Sequence, residues 1–177
     1  MREYHDTEWG VPLYDDQKLF EFLVLDGMQA GLSWATVLRK RPAFRAAFDE
    51  FDPEKIAAYD QKKINDLLHN PGIIRNRLKI ESAIHNAQAF IKLSESVPFH
   101  EFLWSYMNGK PMINHWHSLD QLPAQTPLSQ KLSKDLKNLE FRFVGPTIVY
   151  AFMQAAGLIN DHLVSCFRHK EVIQEAR

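Results

Sequence analysis

Phe141-Arg142-Phe143-Val144-Gly145-Pro146-Thr147 is the stretch that decides how this chain folds. Ahead of it lies an amphipathic run with Leu128, Leu132 and Leu136 at helical spacing and Lys131, Lys134 and Lys137 between them. Behind it, from Pro146 to about Gly157, comes an almost wholly apolar run. Proline suits the first position of a helix, where its missing N–H would be unpaired anyway. The pattern therefore predicts helix, short glycine turn, helix. Such a turn can set main-chain N–H groups and a helix N-terminus against a phosphate, which holds a DNA backbone without reading its bases. Alone it is a weak signal, since two helices joined by a glycine turn are more often simply packed together.

Toward the N-terminus the same spacing recurs. Asp16 is placed to cap a helix with Leu19, Phe20, Phe22, Leu23 and Leu25, which Gly27 would weaken or end. Ser33 can cap a second helix running to Pro42, Pro53 opens another, and Asp60 can cap the next. After the Asn70-Pro71-Gly72 turn a long amphipathic stretch reaches from Ile73 to about Leu93, and Pro98 opens a short helix. Residues 108–127 read as the longest loop. The expectation is all-α: about eight or nine helices, little or no sheet, and one domain over residues 1–177.

Composition narrows the functions. Apolar residues make up 45% of the 177, enough for a sizeable core. A formal net charge of -1 excludes a general polycation, so any polyanion must be met by local clusters. The one cysteine, Cys166, excludes an intrachain disulfide framework, and no apolar run is long enough to span a membrane. A soluble cytoplasmic protein is expected.

Three constellations can carry chemistry. His162 and Cys166 are four apart, which on one helix face would suit zinc, although such a pair is more often a buried thiol and an ordinary histidine. His5 is the best remote third ligand if the chain ends meet. Tyr4, Trp9 and Trp34 accompany Asp26 and Gln29, with Gln29-Ala30-Gly31-Leu32-Ser33 between the acid and the last ring. Such a set could hold a base taken out of its stack, although aromatics near a chain start are more often core. Arg39-Lys40-Arg41 with Arg45, and Arg75, Arg77 and Lys79, are short basic clusters that a solvated helix face explains equally well.

Together, Tyr4-His5-Asp6-Thr7-Glu8-Trp9-Gly10-Val11-Pro12, Gln29 to Trp34, Gly72-Ile73-Ile74-Arg75, Phe152-Met153-Gln154-Ala155 and Asn160-Asp161-His162 resemble the DNA-3-methyladenine glycosylase I family, in order from residue 4 to about 166. The resemblance implies the helix–hairpin–helix glycosylase fold and base excision repair with narrow specificity for 3-methyladenine. It also implies a structural zinc tying the chain ends through His5, His162 and Cys166. Tyr4 and Trp34 would hold the flipped base, and Asp26, the catalytic residue, would bind its polar edge. Phe143, Val144, Gly145 and Thr147 would meet the backbone of double-stranded DNA, and Leu32 would be the wedge. Asn160 falls where many relatives with this hairpin carry a catalytic aspartate.

Two positions depart from the family pattern. The sequence has no counterpart of an amino-terminal cysteine followed by tryptophan, which removes one expected zinc ligand. Asp26 also stands where the family usually has glutamate. A monomer acting on DNA in the cytoplasm, at the nucleoid, is expected. The rival readings are a non-catalytic binder of alkylated DNA and a zinc-dependent hydrolase.

Overall fold

A computed structural model of the chain describes residues 1–175. Ten α-helices succeed one another among the described residues: α1 (Arg2–Thr7), α2 (Asp16–Gln29), α3 (Trp34–Ala47), α4 (Pro53–Ala57), α5 (Gln61–His69), α6 (Arg77–Ser94), α7 (Phe99–Ser105), α8 (Pro127–Asn138), α9 (Pro146–Ala155) and α10 (Phe167–Glu175). The sheet is a two-residue parallel pair, β1 (Met112–Ile113) beside β2 (Ile159–Asn160), with Met112 opposite Ile159. The expected all-α architecture stands, with two helices more than the periodicity marks. These are α1 and α10. In α1 only Tyr4 is buried, and α10 buries Arg168, His169 and Val172, so neither carries an apolar stripe.

The centre of the fold is α2. Every residue from Leu19 to Met28 is buried, so the helix is covered on all sides, with α3, α6, α7 and α9 against it. Its cap is Asp15, whose carboxylate accepts the Lys18 N–H at 2.9 Å, and not Asp16. Asp16 serves α7 instead, accepting from the main-chain N–H groups of Phe99 and His100 at 3.2 and 2.7 Å. Gly27 does not end the helix. Its bare backbone lets the Phe143 side chain close in, since a Cβ there would lie 3.4 Å from that of Phe143.

Helix α3 passes through Pro42, where the sequence predicts a stop. An interior proline costs about 3 kcal/mol. Burial of Phe44 offsets about 1.5–3 kcal/mol of this. Arg41 and Arg45 on the same helix also tie it to α2, their Nε atoms lying 2.7 and 2.8 Å from the buried Glu21 carboxylate. Arg41 also reaches Glu8 at 2.6 Å. Two basic positions are thus not on solvated faces: Arg41 and Lys79 are each 7% exposed.

The α8–turn–α9 unit forms as expected. Asn86 of α6 grips the turn from behind, donating to the Arg142 carbonyl at 3.0 Å and accepting its N–H at 2.7 Å. Ser133 donates to the Val144 carbonyl at 2.6 Å. The left-handed residues are Glu140 (φ +70°) and Phe143 (φ +54°), not the glycine. Gly145 has φ -62°, and a Cβ there would meet nothing within 4 Å.

The two ends of the chain lie together. The Gly10 and Leu13 N–H groups donate to the carbonyls of Gln154 and Ala156, both at 3.1 Å. The approach is so close that a Cβ on Gly157 (φ +68°) would stand 2.2 Å from the Val11 carbonyl carbon.

Candidate active site

Where α1 and α2 meet the end of α9 and the segment after β2, they enclose a cavity of about 440 Å³. Tyr4, Asp26, Gln29 and Trp34 line one part, and His5, Trp9, His162 and Cys166 another. The sequence groups Trp9 with the pocket aromatics, and it does line the cavity. Its ring, however, faces the histidines, with its centroid 4.5 Å from that of His162.

Asp26 is 3% exposed, and its Oδ2 has no hydrogen-bond partner. Burial raises its pKa well above the ordinary carboxylate range and so favours the neutral acid. The Trp34 indole N–H is likewise buried without a partner. Tyr4 packs at 5.5 Å between ring centroids from Trp34, tilted by 50°. Burial above all, and then the Asp26 and Glu8 carboxylates, hold the proton on its hydroxyl by raising its pKa. Buried polar atoms are nearly always paired in native proteins. An unpaired acceptor and an unpaired donor among aromatic rings suit a flat heteroaromatic ligand with polar edges. A positive charge on that ligand would let Asp26 ionise.

The expected metal ligands converge. His5 Nε2 and His162 Nδ1 each lie 3.7 Å from Cys166 Sγ, and the three donor atoms all lie within 4.8 Å of one another. A tetrahedral zinc bonded to one sulfur and one imidazole nitrogen holds them about 3.5 Å apart. The outer nitrogens are engaged as metal-bound histidines require. His162 Nε2 contacts the Trp9 carbonyl at 2.9 Å, and His5 Nδ1 contacts the Asp6 carboxylate at 2.7 Å. Burial lowers the pKa of His162 to about 4, which leaves the imidazole neutral. The donor set fits zinc. The i, i+4 reading of His162 and Cys166 on one helix face does not hold. They lie before α10 in a turn closed by the Cys166 N–H on the Leu163 carbonyl at 2.8 Å.

Asn160 is fully buried and points away from the cavity. Its amide donates to the His169 carbonyl at 3.0 Å and accepts the His162 N–H at 3.2 Å. Asp161, which sequence reasoning passed over, lines the cavity instead. Its oxygens accept from Asn114 and Trp116, both at 2.7 Å, and from Tyr150 and Gln154 at 2.5 and 2.7 Å. Through Asn114 and Trp116 it also anchors the long loop that brings Leu119 and Leu122 to the cavity mouth. No sequence signal marked those two leucines.

Of the remaining expected contacts all but Val144 reach the surface; the Val144 side chain belongs to the core and cannot meet DNA. Leu32 is 43% exposed, on the loop after Gly31 and outside the core. Val144 is buried, Phe143 and Gly145 are half-buried, and Thr147 is exposed. No side chain caps α9, so its first N–H groups are open at the turn.

Comparison with known proteins gives one answer throughout. A family model described as methyladenine glycosylase matches residues 1–169. The chain is 49% identical over 164 residues to DNA-3-methyladenine glycosylase 1 of Escherichia coli K12, covering 92% of this chain and 88% of that one. It is 47% identical over 165 residues to the DNA-3-methyladenine glycosylase of Haemophilus influenzae Rd, covering 93% and 89%. Among solved structures, a crystal structure of 3-methyladenine DNA glycosylase I matches with a TM-score of 0.92 at 51% identity, covering 94% and 92%. The Staphylococcus aureus enzyme, solved to explain how it recognises 3-methyladenine, matches with a TM-score of 0.92 at 41% identity, covering 94% and 89%.

Proposed function

The chain belongs to the methyladenine glycosylase family, and on that premise we propose that it excises 3-methyladenine from alkylated DNA, releasing the free base and leaving an abasic site in an uncut strand. It is a DNA glycosylase of base excision repair. The observation that carries the assignment of the pocket is the orphaned pair, Asp26 Oδ2 and Trp34 Nε1, beside Tyr4.

A 3-methylated adenine in DNA is cationic, so its bond to the sugar is already weak. Water attacks the anomeric carbon, and the electrons of the breaking bond neutralise the departing base. The water proton goes to solvent. Little protonation of the leaving group is needed, which fits a pocket whose Asn160 is turned away. Tyr4 and Trp34 hold the cation by their π faces, and ionised Asp26 favours it electrostatically. Leu32 fills the gap left in the stack. The open N–H groups at the start of α9, with bare Gly145 in front, hold the backbone in the manner of a helix–hairpin–helix.

His5, His162 and Cys166 are the residues that would hold zinc, and its contribution is to tie the two chain ends. A thiolate ligand suits a reducing cytoplasm. The protein is proposed to act as a monomer. The test is incubation with methylated duplex DNA and separation of the released bases. Release of 3-methyladenine that survives metal removal supports this reading. Binding of alkylated DNA without release makes the protein a binder, and release lost on metal removal from a still-folded protein makes it a zinc hydrolase.

A further inference from the structure

Lys79 stands in the first turn of α6, 7% exposed, and no carboxylate pairs with it among the described residues. Burying an ammonium without a partner is costly. Here the partners are main-chain oxygens: Nζ donates to the Met28 carbonyl at 2.8 Å and the Ala30 carbonyl at 2.6 Å. Both lie at the C-terminal end of α2, where carbonyls lack helical partners and the helix dipole is negative. Burial lowers the lysine pKa, and the two carbonyls are the acceptors that meet its ammonium.

Those two oxygens flank Gln29 and open the turn that carries Leu32. Beyond Ala30 the loop has little packing of its own. Gly31 (φ +76°) has nothing within 4 Å of where a Cβ would stand, and Leu32 is 43% exposed. The Leu32 N–H holds the Gln29 carbonyl at 2.6 Å, and the next anchor is Ser33, which caps α3. The ammonium therefore grips the last point at which the rigid helix can dictate where Leu32 points.

We propose that Lys79 is a positioning residue for excision from duplex DNA, clamping the end of α2 so that Leu32 is presented to the base stack in a fixed place. The inference rests on the assignment of Leu32 as the wedge. Being buried, Lys79 does not meet phosphate. It acts through the loop, and small misplacements of a positioned group cost far more rate than binding.

The test is a double-mutant cycle of Lys79→Met and Leu32→Ala. It compares kcat/KM on methylated duplex DNA with the affinity for free 3-methyladenine, read by tryptophan fluorescence, and with the melting temperature. Lys79→Met should lower kcat/KM by roughly tenfold or more. Its affinity for the free base should stay within about twofold, and Lys79→Arg, which can still donate to both carbonyls, should recover most of the rate. The double variant should be hardly slower than Leu32→Ala alone, because coupled residues are non-additive. If Lys79→Met does not fold, Lys79→Gln, which can keep one of the two bonds, takes its place in the cycle. Multiplicative losses, an equal loss of free-base affinity, or an unchanged rate beside a slow Leu32→Ala would overturn the clamp. A Leu32→Ala protein at full rate would overturn the wedge itself, and the clamp with it.

Discussion

Replacing Asp26 by asparagine keeps the size and shape of the side chain and removes only its capacity to become an anion. Asp26 sits three residues before the C-terminal end of α2, with one oxygen unpaired in the cavity. A hydrogen bond to a charged group contributes about 1.5–3 kcal/mol, so losing the ionised acceptor should lower kcat/KM on methylated duplex by about ten- to a hundredfold. Stability should move the other way or not at all. Burial raises the pKa of Asp26, so the folded chain keeps a proton that the unfolded chain releases. Stability of the parent therefore falls as pH rises above the unfolded pKa, about 3.9, and stops falling only above the raised folded value. An amide cannot titrate, so the Asp26→Asn variant should gain on the parent as pH rises. The rate has its own signature. Because the anion favours the cationic base, excision should rise with pH along a limb displaced above the ordinary carboxylate range, and the variant should lose that limb. Single-turnover base release from pH 5 to 8, with melting in parallel, reads all three. An asparagine variant with the parent's rate and pH profile would refute the reasoning, as would a loss of rate that merely follows a loss of fold.

Gly157→Ala should be among the most damaging single-methyl changes in the chain. The left-handed φ costs alanine about 1–2 kcal/mol, and the Cβ would displace Val11, with the two main-chain bonds from Gly10 and Leu13. A loss of about 3–5 kcal/mol in urea denaturation is expected, and an unchanged midpoint would contradict the close approach. Zinc should raise the melting temperature of metal-free protein, and Cys166→Ser should abolish that rise while excision per folded molecule stays close to the parent's. Affinity for undamaged duplex, measured by anisotropy, should fall steeply between 50 and 200 mM salt, as backbone contact at the α8–α9 turn requires. A flat dependence would argue against that contact.

Helices α2 to α9 were legible because apolar residues recur along them and because Ser33 and Asp60 advertise their caps and Pro53, Pro98 and Pro146 their starts. The end helices were not, since few apolar residues mark them and contacts such as His5 to Cys166 and His169 to the Asn114 carbonyl join residues far apart in sequence. Arg41 and Lys79 looked like solvated charge for the same reason: the carbonyls Lys79 serves are 51 and 49 residues distant. Asp26 drew attention only through its aromatic neighbours and the family resemblance, since Glu21, an acid in the same buried run, serves Arg41 and Arg45 instead. The neighbouring pair Asn160 and Asp161 could not be told apart. Along an extended segment consecutive side chains face opposite ways, so a shift of one residue exchanges cavity for core.

Tyr4 and His5 are consecutive on α1, one facing the base pocket and the other the ligand cluster. This arrangement has a meaning in time. On the ribosome this helix emerges well before what seats it (the His162 ring under Trp9 and the Cys166 sulfur beside His5), which is added more than 150 residues later. Until then one wall of the pocket is missing, however well α2 to α9 have already folded. A nascent chain, or one cut short before residue 162, is thus an enzyme without a grip on its base. On this reading excision waits until residues 162 to 166 have been made.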